Sequence, residues 1–349
     1  MSTNVTPFVS VIIPCYNVEN YIQQGLDSVL KQTYARIEIL CVDDGSSDNT
    51  LELLNEYAAK DGRIKVFTND KNKGLIYTLN RLVELASTEV LVRFDPDDIC
   101  ETDRIERLMK VYTESNANLV SSDYALINEQ SQCIKKRGFD LMSTPLGIRY
   151  TAIFNSPFPH PQSLIEKKIF YNHQYNDNFK AAEDYKLWCD LLLDKKFKGV
   201  IVHEKLYRYR LNTQGVSNIH STVQIENHIK VAQFYLNRIL DLPEKEINFW
   251  SIAKKTTVDF SRKNLMKELK NVQRVRKLFV RKYFPSNKEL IEINSYTFQY
   301  FTFLFKNIYH FSIDSKIPKM EAVLIILIAM WKNIGLVSLN NIRWLLRNL

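Results

Sequence analysis

Two mostly apolar, β-branched runs, Phe8 to Cys15 and Ile37 to Val42, each lead into polar turn residues and then into a stretch with helical spacing. This alternation predicts a βαβ beginning. After the second run, Asp43-Asp44-Gly45-Ser46-Ser47 turns the chain and offers a serine cap to a helix reaching Lys60, with Gly62 closing it. Ile64 to Thr68 is a third strand, Leu75 to Ala86 an amphipathic helix, and Val90 to Phe94 a fourth strand. Strands that are apolar on both faces and alternate with helices imply an α/β fold, a mainly parallel sheet covered by helices. Further on, the pattern predicts a helix over 103–115, strand pieces over 119–128, a Pro-rich loop at 157–161, a helix over 183–193 and a last strand over 200–209. Beyond about residue 220 long helical patterns rich in Lys, Phe, Tyr and Ile take over, which divides the chain into 1–220 and a helical 221–349.

A chain of 349 residues with 45% apolar content has ample material for a core, so disorder throughout is excluded. The five cysteines are far apart and form no C-x-x-C pair, which argues against zinc or dithiol chemistry and for buried free thiols. The first residues show neither the basic start nor the apolar stretch of a secretory signal, an expectation of a cytoplasmic protein. Residues 221–349 hold 21 Lys and Arg against 10 Asp and Glu, whereas residues 1–220 hold the remaining 26 against 29. The net charge of +8 thus belongs to the C-terminal region, which is suited to an anionic partner such as a membrane surface. Ala322 to Trp331 is too short an apolar run to span a bilayer, and peripheral attachment to the inner face of the cell membrane is the corresponding expectation. No nucleic-acid motif accompanies the basic residues, and none is expected to bind.

In parallel sheets ligands bind beyond the carboxyl ends of the strands, so the residues there are the ones to read. Strand one ends in Pro14-Cys15-Tyr16-Asn17, strand two in Asp43-Asp44-Gly45 and strand four in Asp95-Pro96-Asp97-Asp98. Three carboxylates within four residues repel one another, and a divalent cation, Mn2+ or Mg2+, shared with a diphosphate is the common way to accommodate them. The competing reading is an acidic lead-in to the helix near Asp103.

These segments, together with Glu183-Asp184-Tyr-Lys-Leu-Trp188, occur in the order and at the intervals that resemble the family 2 glycosyltransferases over residues 8–217. The resemblance implies a GT-A fold whose residues 1–98 form the nucleotide-binding half and 99–220 the acceptor half. It implies transfer of a hexose or N-acetylhexosamine, with inversion, from a UDP-sugar to a glycan or lipid-linked glycan in surface polysaccharide synthesis. Pro14, Tyr16, Asn17, Asp43 and Asp44 then line the nucleotide, Tyr16 stacking on uracil and Asp44 accepting its N3 proton. Asp95 and Asp97 meet the donor ribose and the metal, with Asp98 as the alternative ligand. Asp184, preceded by Glu183, takes the base position, where the dipole of its helix would keep it ionised. His160, in His160-Pro161-Gln162-Ser163, falls on the acceptor side, and Arg208 or Arg210 faces the diphosphate.

Two departures stand out. Where many members carry Ala-Arg-Asn after the third strand's glycine, this chain has Gly74-Leu-Ile-Tyr-Thr-Leu-Asn80-Arg81, so a phosphate-contacting arginine there is in doubt. Pro96 replaces a small residue without removing a carboxylate. Asn340-Asn-Ile-Arg343-Trp344 lacks the Gln of the processive synthases' Gln-x-x-Arg-Trp. Glycine-rich phosphate loops of nucleotidyltransferases or dinucleotide-dependent oxidoreductases are missing after strand one. The alternative from another class is a non-catalytic glycan-binding or scaffold protein on a decayed transferase domain, against which the intact acidic segments argue.

Overall fold

Strand β1 (Val9–Cys15) is buried along its whole length and lies between two parallel neighbours, β2 (Ile37–Asp43) and β4 (Val90–Arg93), with β3 (Ile64–Thr68) beyond β2. The computed structural model describes residues 8–135, 142–211, 221–243, 246–247 and 262–314; Ser217, the run 322–331 and the segment 340–344 lie outside them. Helices α1 (Ile22–Leu30), α2 (Thr50–Lys60) and α3 (Leu75–Leu85) connect these strands, and Ile22, Leu26, Val29, Leu54, Leu79 and Leu82 are buried. Pro14 pairs opposite Val42 but lies beyond the stretch shared with β4, so its missing N–H costs the sheet no bond.

The sheet continues from β4 through β8 (Leu164–Glu166), β6 (Leu119–Ile127) and β9 (Gly199–Arg210) to β5 (Ile99–Cys100), with β7 (Cys133–Lys135) paired to β6. Here parallel and antiparallel ladders mix: β8 runs against both β4 and β6, while β9 runs parallel to β6. Helix α4 (Arg104–Ser115) covers this half, and α6 (Glu183–Leu193) follows the loop that leaves β8. Cys15, Cys41, Cys100 and Cys189 are buried free thiols, as their apolar settings predict, and Cys133 is exposed.

Two local expectations are corrected. No serine side chain caps α2; Ser46 and Ser47 are drawn instead to Asn17, whose Oδ1 accepts the Ser47 N–H at 2.8 Å, and Asp48 Oδ1 accepts the Thr50 N–H at 3.0 Å. Nor does Gly62 close that helix. The capping residue is Asp61, whose carboxylate accepts both the backbone N–H and the Nε–H of Arg63.

The chain divides into two compact units, Met1–Leu141 with Ser156–Asn227, and Met142–Asn155 with His228–Leu349. The first holds the whole sheet. In the second, α5 (Pro145–Thr151) is capped by Thr144, which also gives its N–H to Glu292 at 2.9 Å, and Tyr150 bonds Thr297 at 2.8 Å. Its other helices are α7 (Ser221–Leu240, which begins in the first unit), α8 (Arg262–Tyr283) and α9 (Asn287–Asp314). Among the described residues no helix is long and apolar enough to cross a membrane.

Candidate active site

Because β2, β1 and β4 are adjacent and parallel, their carboxyl ends open on one edge, roughly 5 Å apart per strand. Asp44, Tyr16 and Asp95 therefore stand side by side along that edge. Asn17 follows Tyr16 with a φ of 49°, a left-handed turn that asparagine tolerates, and its N–H meets Ser46 Oγ at 3.0 Å. This turn leaves Tyr16 exposed, with 45% of its surface open, as a ring that stacks on a base requires.

Asp44 is buried, and its carboxylate holds the loop after β3. Oδ1 accepts from Asn69 Nδ2 at 2.6 Å and Lys73 N at 2.9 Å, and Oδ2 accepts from Gly74 N at 2.8 Å. Lone-pair capacity on Oδ2 remains for one further donor. Asp43 is also buried and accepts the Ser46 N–H at 3.1 Å, which fixes the turn. Within the stretch from Gly74 to Arg81, Leu79 is a core residue, and Arg81 donates to Thr68 O and Asn69 Oδ1.

The turn after β4 is closed by Asp98 N donating to Asp95 O at 3.1 Å, with Pro96 supplying its fixed φ. Asp95 and Asp97 keep partial exposure at its mouth, whereas Asp98 turns inward: it is 1% exposed, and its Oδ1 accepts the Arg210 N–H at 2.7 Å. Burial, and then the charge of Asp95, push the Asp97 carboxyl up to about 6. Burial, Asp97 and Asp95 raise Asp98 well above the carboxylate range. Gly25 of α1 packs directly under this turn, and a β-carbon there would sit 2.5 Å from Pro96 O. Gly25→Ala is therefore expected to displace the turn, costing roughly 1–3 kcal/mol of stability, readable by thermal melting.

Behind the turn lies Arg93, a fully buried guanidinium that the sequence reading passed over. Nη2 bonds Asp95 Oδ1 at 2.5 Å and Nη1 bonds Phe94 O, so the cation fixes the orientation of Asp95. A second buried arginine, Arg104, donates to Arg93 O and Pro161 O, both at 2.8 Å, and lies 4.9 Å from the ring of Tyr207. Tyr207 Oη in turn accepts the Asp95 N–H at 3.0 Å. The one available signal for Arg93 was a charged residue closing an otherwise apolar strand.

On the other side, α6 presents Glu183 and Asp184 in its first turn, with Ser156 Oγ 3.4 Å from Asp184 Oδ2. Burial pushes Asp184 up to about 6, so desolvation outweighs the helix dipole that the sequence suggested would keep the group ionised. Burial, and then the neighbouring Asp184, push Glu183 up to about 7. Arg93 and Asp95 both act on Glu183, which places the acidic pair in the same electrostatic neighbourhood as the β4 turn. His160 is buried, with Nε2 2.8 Å from Tyr175 Oη and its ring edge-on to Trp188. Burial holds its imidazole neutral, and Arg93 adds to that effect. Asn80 clamps the backbone of Tyr175, giving Nδ2–H to its carbonyl at 3.0 Å and accepting its N–H at 3.1 Å.

The two arginines of β9 differ: Arg208 is exposed and Arg210 is buried. Arg208 pairs with Glu101 at 2.8 Å. Arg210 is 2% exposed and donates to Asp97 O, Asn128 O, Glu129 O, Ser131 Oγ and Gln24 Oε1. Its place is beneath the acidic turn, where it holds the backbone of Asp97.

No group of three metal-ligating side chains is assembled among the described residues. Among the described residues the turn offers the partly exposed Asp95 and Asp97 carboxylates, with Asp98 Oδ2 buried behind them without a hydrogen-bond partner. That donor set fits a hard divalent cation that completes its shell with diphosphate and water, and the like-charge pressure on Asp97 is what such a cation relieves.

The sheet edge thus carries an exposed aromatic ring between acidic residues of neighbouring strands. The model of the family described as Glycosyl transferase family 2 matches residues 10–174. An uncharacterized glycosyltransferase of Haemophilus influenzae is 31% identical over 276 residues, covering 74% of this chain and 83% of its own. The chain belongs to glycosyl transferase family 2. The Escherichia coli UDP-Glc:α-D-GlcNAc-diphosphoundecaprenol β-1,3-glucosyltransferase WfgD is 30% identical over 60% of this chain and 79% of its own. The putative teichuronic acid biosynthesis glycosyltransferase TuaG of Bacillus subtilis is 29% identical over 62% and 84%. In structure, Staphylococcus aureus TarS 1–349 in complex with UDP-GlcNAc superposes with a TM-score of 0.53 at 17% identity, over 83% of this chain and 91% of the other. The mannosyltransferase PcManGT of Pyrobaculum calidifontis, in complex with GDP-Man and Mn2+, gives 0.53 at 13% identity over 97% and 83%. The GT-A fold expected from the sequence is present.

Proposed function

We propose that the chain transfers a hexose or N-acetylhexosamine from a UDP-sugar, with inversion, to a hydroxyl of a glycan or lipid-linked glycan in surface polysaccharide synthesis. What supports this reading is the placement of Asp44 and the Asp95–Asp97 turn at the carboxyl ends of neighbouring parallel strands, with Glu183 on α6 within electrostatic reach of Asp95 and Arg93. WfgD, by its name a UDP-Glc-dependent enzyme acting on a diphosphoundecaprenol-linked sugar, and TuaG, in teichuronic acid biosynthesis, support the donor and acceptor classes.

In this reading uracil stacks on Tyr16 and gives its N3 proton to the remaining lone pair of Asp44 Oδ2, a contact cytosine lacks the hydrogen to make. Asp95, oriented by Arg93, meets the ribose, and Asp97 with Asp95 holds Mn2+ or Mg2+ against the diphosphate, while Asp98 and Arg210 brace the turn from behind. When bound, the cation neutralises charge on the departing UDP. Asp184 takes the proton of the acceptor hydroxyl as its oxygen attacks the anomeric carbon from the face opposite UDP. His160, neutral and held by Tyr175, shapes the acceptor side. A lipid-linked acceptor puts the reaction at the cytoplasmic face of an anionic membrane.

The test is release of UDP from a panel of UDP-sugars, with and without Mn2+, across pH. A metal-dependent release is expected with one or a few sugars, and none from any of them would favour a non-catalytic glycan-binding role. Asp184 works only when ionised, so turnover falls as pH drops through about 6, the value to which burial moves its carboxyl. Glu183, held higher by burial and then by the charge of Asp184, is largely neutral over that limb, so Glu183→Gln is expected to leave the limb in place. Full turnover persisting well below pH 6 would count against this assignment.

A further inference from the structure

Helix α8 carries nine Lys or Arg and a single acid over its 22 residues. From Lys267 onward the arrangement is one-sided. Glu268, Leu269, Val272, Val275 and Phe279 are buried, whereas Lys267, Lys270, Arg274, Lys277 and Arg281 are exposed. At 3.6 residues per turn these five cations fall within an arc of roughly 80°, centred nearly opposite the buried face. The one acid of the helix is on the buried side. Arg274 pairs with Glu246, and Lys267, Lys270, Lys277 and Arg281 have no ion-pair partner among the described residues.

The stripe ends on an exposed aromatic ring. Phe284, just past the last turn, keeps 85% of its surface open and has a φ of 46°, a left-handed conformation unfavourable for a bulky side chain. Pro285 follows, and Ser286 then exchanges bonds with Glu289 at 2.9 Å and 3.5 Å, a capping box that fixes the entry to α9. Ile291, in the first turns of α9, is 68% exposed. The tip of the α8–α9 hairpin thus presents apolar side chains beside Arg281.

We infer that the basic stripe of α8, with Phe284 as its apolar tip, docks the protein on an anionic phospholipid surface. A polyanion such as nucleic acid would satisfy the cations but offers no apolar phase for Phe284 and Ile291. Since the apolar face of α8 is already used inside its own unit, the helix cannot lie in the bilayer as a free amphipathic helix does, and attachment is electrostatic and salt-sensitive. The inference deepens the membrane-side part of the proposed function. Its readout needs neither donor nor acceptor, so its failure would leave sugar transfer untouched.

The experiment is co-sedimentation of the full chain with phosphatidylcholine vesicles containing or lacking phosphatidylglycerol. Binding is expected only to the anionic vesicles and is lost at high salt. The charge reversal K270E/K277E, on exposed positions opposite the core, is expected to weaken partitioning by at least about 30-fold with an unchanged circular dichroism spectrum. F284S is expected to weaken it further in combination. Equal binding to both vesicle types, undiminished binding of the folded K270E/K277E variant, or capture of duplex DNA in place of anionic vesicles would overturn the inference.

Discussion

Asp184→Asn is expected to lower kcat by roughly 10³-fold while leaving UDP affinity in the presence of Mn2+ unchanged. Asparagine keeps the shape and the reach to Ser156 but cannot accept a proton from an attacking hydroxyl. The donor contacts assigned to Tyr16, Asp44 and the β4 turn stay as they are, so the loss belongs to the chemical step alone. Steady-state turnover together with calorimetric titration of UDP separates these quantities. Ordinary turnover in the variant would remove Asp184 from the base role, and a parallel loss of UDP affinity would make it part of the donor site.

Asp97→Ala has the second large effect, and it differs in kind. Of the three acids in the turn, Asp97 combines partial exposure with a carboxyl pressed by Asp95, whereas Asp98 is committed to Arg210 N. Loss of Asp97 would remove one of the two carboxylates proposed to hold the cation. Both metal-dependent UDP affinity and turnover should fall, turnover by about 10³-fold, which corresponds to roughly 4 kcal/mol of transition-state stabilisation. Asp98→Ala serves as the contrast. It should cost stability, because the buried Arg210 N–H loses its acceptor, and should change UDP affinity far less.

The nucleotide-binding side was legible because its signals are local. Each of β1, β2 and β4 announces itself by an apolar run, and the polar residues that follow are forced to the carboxyl edge by parallel pairing alone. The acceptor side was less so. Strand β8 is only three residues long, and its place between β4 and β6 depends on pairing with segments more than forty residues away. Helix α5 is seven residues long, and its capping residue, Thr144, is held by Glu292, 148 positions away. The supporting arginines were missed for a related reason. Arg93 and Arg104 are buried by contacts with Asp95, Pro161 and Tyr207 that come from three different segments, and a single strand or helix pattern does not encode them. For Arg210 the sequence suggested a positive charge near the diphosphate, but the backbone carbonyls that take up its donors are not distinguishable by residue type.

The proposal stands or falls on whether the acidic edge of the sheet holds a cation and uridine diphosphate together. Anomalous diffraction from crystals grown with UDP and Mn2+ addresses this directly. The expected result is one strong manganese peak about 2.1 Å from an Asp97 oxygen, with the diphosphate on its far side and uracil between Tyr16 and Asp44. A nucleotide bound elsewhere, or a peak remote from the Asp95–Asp97 turn, would contradict it.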